Sequence, residues 1–442
     1  MNLRHSMPAV ALLTAFVAAI GRGEPQPDRP VLTLTDSIEM GLEQATAARN
    51  ARRDEDIAGR RIGQVRAQLL PQLKATGRYT RLDEVEAFEF NGERFEMGRE
   101  DTYTAGVEAS QLLYSGGSVG AALKAARLYR DVARATVQQV ENDLVRDIRT
   151  AFHGILLADE QVRVQEASVA QLEDLLKQTE ARYRQQTAPE FDVLTAKVRL
   201  ANERPKRIQA RKQAELARVA FRDLVRIESE DFAVDGELVF EPDERALEDW
   251  QARGRERRPE LIELGSLLGM READIRGEQG GGLPQVRAFA GYRGENPQSG
   301  SSRDEWDWGW NAGVAVEWDL FDGLLRRNRV SEKRLELAKS RELLEETERQ
   351  IALEIQSHYL DMREAAETVT ASAETVALAE KGLEIARARY ENGLATYLDF
   401  TDANLALATA RLTRLQALHD HMNALARLRQ ASGEVFERGE TP

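Results

Sequence analysis

The chain is written twice. An apolar column at seven-residue spacing, Ile148, Ile155, Val162, Val169, Leu176 and Tyr183, recurs 207 positions later as Ile355, Met362, Val369, Val376, Leu383 and Tyr390. The same offset carries Ala105-Gly106-Val107 onto Ala312-Gly313-Val314, Tyr114-Ser115-Gly116 onto Phe321-Asp322-Gly323, and Asp192 onto Asp399. Upstream, Leu70-Pro71-Gln72 returns as Leu283-Pro284-Gln285 at an offset of 213, so one loop of the first half is six residues longer. A repeat of this length means a duplicated architecture, and the spacing of seven means long helices packed side by side.

Each half predicts the same order of elements. Helical patterns over Thr35–Leu69 and Asp243–Glu278 come first, with Thr35 as the N-cap of the first. Pro71 and Gly280-Gly281-Gly282 end them. Two period-two stretches follow in each half. Leu73, Ala75, Gly77 and Tyr79 alternate with Lys74, Thr76 and Arg78, and Tyr103, Ala105, Val107 and Ala109 alternate with Thr104, Gly106, Glu108 and Ser110. The second half repeats this with Val286, Ala288, Ala290 and Tyr292, then Trp310, Ala312, Val314, Val316 and Trp318. Very long helices over Ser118–Gln186 and Leu324–Asn392 come next, each extending about 100 Å at 1.5 Å per residue. Helices over Glu190–Ile227, kinked at Pro205, and Thr396–Ser432 return. Ala365, Ser372, Ala379 and Ala386 give the second long helix another packable stripe.

These features divide the chain into a signal peptide (1–23), a first repeat (31–230) and a linker (231–242), then a second repeat (243–433) and a tail (434–442). Membrane strands fall at about 71–114 and 284–321, and helical hairpins at about 118–227 and 324–432. The signal peptide rests on Arg4, on the apolar run Ala9–Ile20, and on small residues at Gly21 and Gly23. No later stretch is long and apolar enough for a spanning helix.

Four strands cannot close a barrel, and open sheet edges are not tolerated in lipid, so if the apolar faces meet lipid several chains must pool their strands. Trp306, Trp308 and Trp310, with Tyr103, Phe88, Phe90 and Phe95 near the counterpart strands, read as aromatics at a membrane interface. A soluble sandwich is the competing reading. Against it, the alternate faces carry Lys74, Arg78, Glu108, Arg287 and Glu317.

Composition excludes other classes. A formal charge of −14 opposes general nucleic-acid binding. The absence of cysteine removes disulfides, thiolate metal sites and a thiol nucleophile. The five histidines have no ligand spacing, and no phosphate-cradling loop or nucleophile elbow is present. We therefore expect no catalytic residues, no metal and no cofactor.

The duplicated order of elements resembles the TolC-like outer-membrane efflux family. The most specific match is Ala388-Arg389-Tyr390-Glu391-Asn392-Gly393 followed by Leu398-Asp399-Phe400-Thr401-Asp402-Ala403. Ala181-Arg182-Tyr183, Asp192-Val193-Leu194-Thr195-Ala196 and Leu32-Thr33-Leu34 extend it. The resemblance implies a mainly α fold with a small β part. It implies a homotrimer joining a twelve-stranded outer-membrane β-barrel to a periplasmic α-helical barrel. A periplasmic adaptor (membrane fusion) protein, an inner-membrane pump of RND or ABC type, and outer-membrane lipid are the implied partners.

Asp399 and Asp402 lie three apart, so one helix face carries both, and three copies would make anionic rings. The resemblance places Asp399 and Asp402 at a narrow aperture, with Asp192 as their first-half neighbour. The competing reading is N-terminal capping by Thr396 and Asp399. Adaptor docking is implied at the tips, Asn392, Gly393 and Leu394 in the second half and Gln186, Thr187 and Ala188 in the first. Gly393 suits a left-handed helix end. Gln186 replaces that glycine in the first half, where Thr187 and Glu190 have capping-box spacing. Tyr183 and Tyr390 read as the last apolar heptad positions, with a latch as the other reading. The basic latch residue that the resemblance implies in the second tip is missing, since Ala395 and Thr396 stand there. The functional expectation is a passive exit duct of an efflux or type I secretion system. The alternative is a secreted, non-conducting trimeric coiled-coil structural protein or adhesin.

Overall fold

A computed structural model describes residues 30–85, 87–90, 92–96, 99–296 and 305–434. The signal segment 1–23, the tail beyond Glu434, and the side chains of Phe88, Phe90 and Phe95 lie outside the described residues.

In chain order the first half contains β1 (Val31–Leu32), α1 (Leu34–Gln44), α2 (Thr46–Ala67), β2 (Gln72–Arg81), β3 (Ala87–Phe90), β4 (Glu93–Glu96), β5 (Asp101–Tyr114), α3 (Ser118–Arg184) and α4 (Glu190–Val225). After β6 (Ala233–Val234), the second half contains α5 (Leu247–Arg257), α6 (Pro259–Gly280), β7 (Gln285–Asn296), β8 (Asp307–Glu317), α7 (Leu325–Glu391) and α8 (Tyr397–Ala431). The fold is mainly helical with a small sheet, and the two halves repeat.

The first helix of each half is broken, contrary to the continuous pattern expected. Ala45 and Arg258, 213 positions apart, leave the helical region at ψ 130° and 122°. Pro259 accounts for the second break, because it pushes the preceding residue into an extended conformation. The cap of α1 is Thr33 rather than Thr35. Its hydroxyl accepts from the Asp36 amide, and the Asp36 carboxylate accepts from the Thr33 amide, both at 3.2 Å. The α4 helix runs through Pro205 as one element.

The heptad columns are core. Ile148, Ile155, Val169, Ile355, Met362, Val369 and Val376 are buried. α3 and α7 are 67 residues each, about 100 Å long. α3 packs on α4 and α8, and α8 on α7; nearer the sheet, α3 packs on α2 and α6, and α6 on α7. One chain is therefore a wall segment. Its free helices are α7 on one side, and α2 and α4 on the other.

Ion pairs reinforce the first hairpin in register with the heptads. Asp159–Arg218, Glu166–Arg211, Glu173–Arg204 and Glu180–Lys197 lie at 2.7, 2.5, 3.0 and 3.4 Å. In the second hairpin Glu380–Arg411 at 2.8 Å repeats the Glu173–Arg204 rung. Ala366, Ala373, Leu418 and Leu425 occupy the positions of two others. Such exposed pairs contribute ~0.2–1 kcal/mol each, so apolar packing dominates both hairpins.

The four principal strands form one antiparallel sheet in the order β2-β5-β7-β8, with a register shift between Leu112 and Tyr114. The β3–β4 hairpin and the parallel β1–β6 pair were not expected from the sequence.

Candidate channel wall and aperture

Register assigns each residue of the sheet to a face. Tyr79, Tyr103 and Asn296 are aligned across three strands, as are Ala75, Val107, Tyr292 and Trp310 across four. Leu73, Ala109, Ala290 and Ala312 form another row. One face is thus almost wholly apolar. It is also exposed, Trp310 to 80%, with Leu73, Val314 and Val316 beside it. A patch of this extent requires a lipid or protein cover.

The opposite face carries Lys74, Arg78, Glu108, Arg293, Glu295, Asp307 and Asn311. A cavity of about 620 Å³ lined by Thr76, Glu108, Arg293, Glu295, Asp307 and Asn311 opens on it. Two strand glycines are covered by aromatics from the neighbouring strand. Trp308 lies over Gly294, 2.6 Å from where a Cβ would stand, and Phe289 lies over Gly313 at 3.0 Å.

Aromatics gather at both ends of the apolar face. At the far end, ring centroids of Trp306 and Trp308 are 5.4 Å apart, Tyr292 and Trp308 5.2 Å, and Tyr79 and Tyr103 5.1 Å. At the helical end Trp318, Phe321 and Tyr114 are exposed, and the Trp318 indole donates to the Gly282 carbonyl at 3.0 Å. Sequence reasoning picked the first cluster and missed the second. The signal was present: Trp310 and Trp318 share strand parity eight residues apart, about 27 Å along an extended strand, close to the height of an apolar membrane band.

At the other end of the long helices, both tips turn in the same way. Gly393 has φ 71°, and Gln186, 207 positions earlier, has φ 62°. The glycine is replaced but its left-handed conformation is kept. The capping box expected of Thr187 and Glu190 does not form. Pro189 is the N-cap of α4, and the Thr187 hydroxyl instead donates to the Arg182 carbonyl at 3.0 Å. Asn392, Gly393, Leu394, Gln186 and Thr187 are exposed, and Ala188 is partly so.

The capping reading of Asp399 holds. Its carboxylate accepts from the Thr396 amide at 2.9 Å and the Thr396 hydroxyl at 2.7 Å. These hydrogen bonds, the backbone one first, hold its carboxyl below the usual range, so it stays ionised. Asp402 is exposed and accepts from Arg199 of α4 at 3.2 Å, a tie between the two halves. Asp192 is half-buried in the first turn of α4. The two tyrosines differ. Tyr390 is 8% exposed, stacks on Phe400 at 5.5 Å and lies beneath the Arg182 guanidinium at 4.6 Å, whereas Tyr183 is 44% exposed.

Comparison with known proteins places this architecture. The sequence profile of the family described as outer membrane efflux protein matches residues 38–225 and 253–434. The outer membrane protein TolC of Escherichia coli (strain K12) is 23% identical over 414 residues, covering 88% of this chain and 80% of that one. The Campylobacter jejuni CmeC outer membrane channel shares the fold with a TM-score of 0.77 at 14% identity, over 92% of this chain and 87% of that one. The Neisseria gonorrhoeae MtrE outer membrane channel, in its open state, gives 0.75 at 18% identity, over 92% and 90%. Since the profile match takes in most of both repeats, the chain belongs to the outer membrane efflux protein family.

Proposed function

We propose that three copies close into one outer-membrane efflux duct. The observation that carries this reading is the matched pair of free edges. β8 and α7 stand open on one side of the protomer, and β2, α2 and α4 on the other. Joining β8 of one copy to β2 of the next makes a twelve-stranded barrel with its apolar face toward lipid and its charged face toward the lumen. The helical edges fit the same operation. α7 exposes Leu335, Leu353, Leu360, Leu378 and Ile385, while α2 exposes Ile57 and α4 exposes Phe191, Leu194, Val198 and Ile208. The free seam of α7 is therefore made of large residues. The small stripe turns inward, where Ala365 and Ala379 pack within the chain's own clusters.

In this assembly Trp306, Trp308, Trp310 and Tyr103 sit at the outer membrane interface. Asp192, Asp399 and Asp402 ring the periplasmic aperture. Capping and ring formation are compatible, because the cap keeps Asp399 charged. The Arg199–Asp402 pair takes the part of the basic latch that the second tip lacks. The tips at Gln186, Thr187, Ala188, Asn392, Gly393 and Leu394 dock a periplasmic adaptor, and an inner-membrane pump delivers cargo to the duct. Planar-bilayer recording of the purified protein, with heat-modifiable gel mobility, tests the assembly. Stable pores from a trimeric species are expected; a monomeric species without conductance would refute it.

A further inference from the structure

Just below the sheet the helices carry a concentration of cations that the internal ion pairs do not absorb. Residues 325–341 hold seven Lys or Arg against two Glu, in a chain whose net charge is −14. Arg326, Lys333 and Arg341 have carboxylate partners. Arg327 and Arg334 are exposed and have no ion-pair partner among the described residues. The first half repeats the pattern, since Arg127, 207 positions before Arg334, is also exposed and without such a partner. All three lie within ~14 Å of the start of their helix. Between them and the lipid-facing strands stand the exposed Trp318, Leu320, Phe321 and Tyr114.

The helix face fixes which way these cations point. Eighteen residues make five turns, so Arg127 lies above Val145 and Arg334 above Ala352, with Arg134 and Arg341 above Phe152 and Tyr359. Phe152 lies against the linker at Gly236, the Ala352 carbonyl accepts from Gln251 of α5, and Tyr359 packs on the cluster around Trp250. The linker and α5 cross this face. A tunnel stays open only if the covered face is its outside, so the cations point outward.

We propose that Arg127, Arg327 and Arg334 form a collar that binds the phosphates of anionic phospholipids in the periplasmic leaflet of the outer membrane. The collar is continuous with the lipid-facing sheet and carries the charge complementary to such headgroups, and it rests on the membrane reading of that sheet. Guanidinium groups bind phosphate in bidentate fashion and extend along an apolar stem toward the interface. Each cation near an anionic surface is worth roughly a fivefold gain in affinity.

The test uses the full-length trimer, delipidated in neutral detergent and titrated with dioleoyl phosphatidylglycerol or dioleoyl phosphatidylcholine. Retained lipid is read by native mass spectrometry at low and high salt. Phosphatidylglycerol should be retained about tenfold more strongly, with the difference shrinking as salt rises. The triple variant Arg127→Gln, Arg327→Gln, Arg334→Gln should lose the preference, and the corresponding triple Lys variant should keep it. Equal retention of both lipids, a Gln variant that keeps the preference, or a Lys variant that loses it would overturn the collar. Conductance of the same wild-type preparation separates the two levels. A pore without lipid preference overturns the collar alone, while loss of both overturns the membrane reading beneath it.

Discussion

The Cδ1 atom of Ile355 occupies the space that a side chain on Gly254 would need, 2.4 Å from where its Cβ would stand. Gly41 and Ile148 repeat the contact at 2.3 Å in the first half. The duplication thus preserves a closest approach as well as a pattern. Replacing Gly254 by Ala should destabilise the fold by ~1–3 kcal/mol through overpacking. Thermal unfolding checks this, and Ile355→Val in the same chain should recover part of the loss.

The free edges predict where assembly fails. Leu335 is 70% exposed on the edge of α7, and Ile57 is exposed on that of α2. Leu335→Asp and Ile57→Asp should each leave the helical content intact while shifting the protein from trimer to monomer. Light scattering in detergent reads the change. An unaltered trimer in both variants would remove this surface from the interface.

The aperture can be probed in both directions. Asp402→Asn removes a charge without disturbing the Thr396–Asp399 cap, so cation preference should fall and conductance rise. Arg199→Gln frees the Asp402 carboxylate, and cation preference should increase. Reversal potentials in asymmetric salt measure both; shifts of the same sign would contradict the pairing. Asp399→Ala should additionally lower Tm, because it removes the carboxylate that closes the capping box on Thr396.

Two buried histidines predict the response to acid. Burial holds His153 at about 4, against an ordinary 6.5, despite its 3.0 Å hydrogen bond with Asn423. Burial also lowers His421, whose ring lies 4.8 Å from that of Phe240 in the linker. Both groups favour the neutral form in the folded state. Their contribution is complete above 6.5 and is lost as pH falls below it, down through about 4 for His153. Neither ring nitrogen of His421 has a hydrogen-bond partner among the described residues, so His421→Leu should flatten the pH dependence of Tm without weakening the protein at pH 8. A slope identical to wild type would count against it.

Periodicity made the long helices and the four principal strands legible, because each buries one face over many residues. The breaks were harder to read. Pro259 was a readable signal for the second, but Ala45 is a strong helix former and nothing local announces the first. The β3–β4 hairpin was readable, since Asn91-Gly92 sits between its strands and Gly92 takes φ 84°. The β1–β6 pair was not. It joins two residues to two others about 200 positions away, where no local preference operates. At the tip, the capping role of Asp399 followed from spacing, whereas the Arg199–Asp402 tie spans the two halves and needed coordinates.

The open borders of the sheet also govern how such a protein reaches its membrane. Two copies side by side still present one bare row of amides and carbonyls at each end, so a partial ring is no better suited to hydrocarbon than a lone chain. In the proposed three-copy ring, insertion is then all-or-none in the third copy. A chain spoiled at a single border would poison every ring it joins, and in an equal mixture only about one ring in eight would escape.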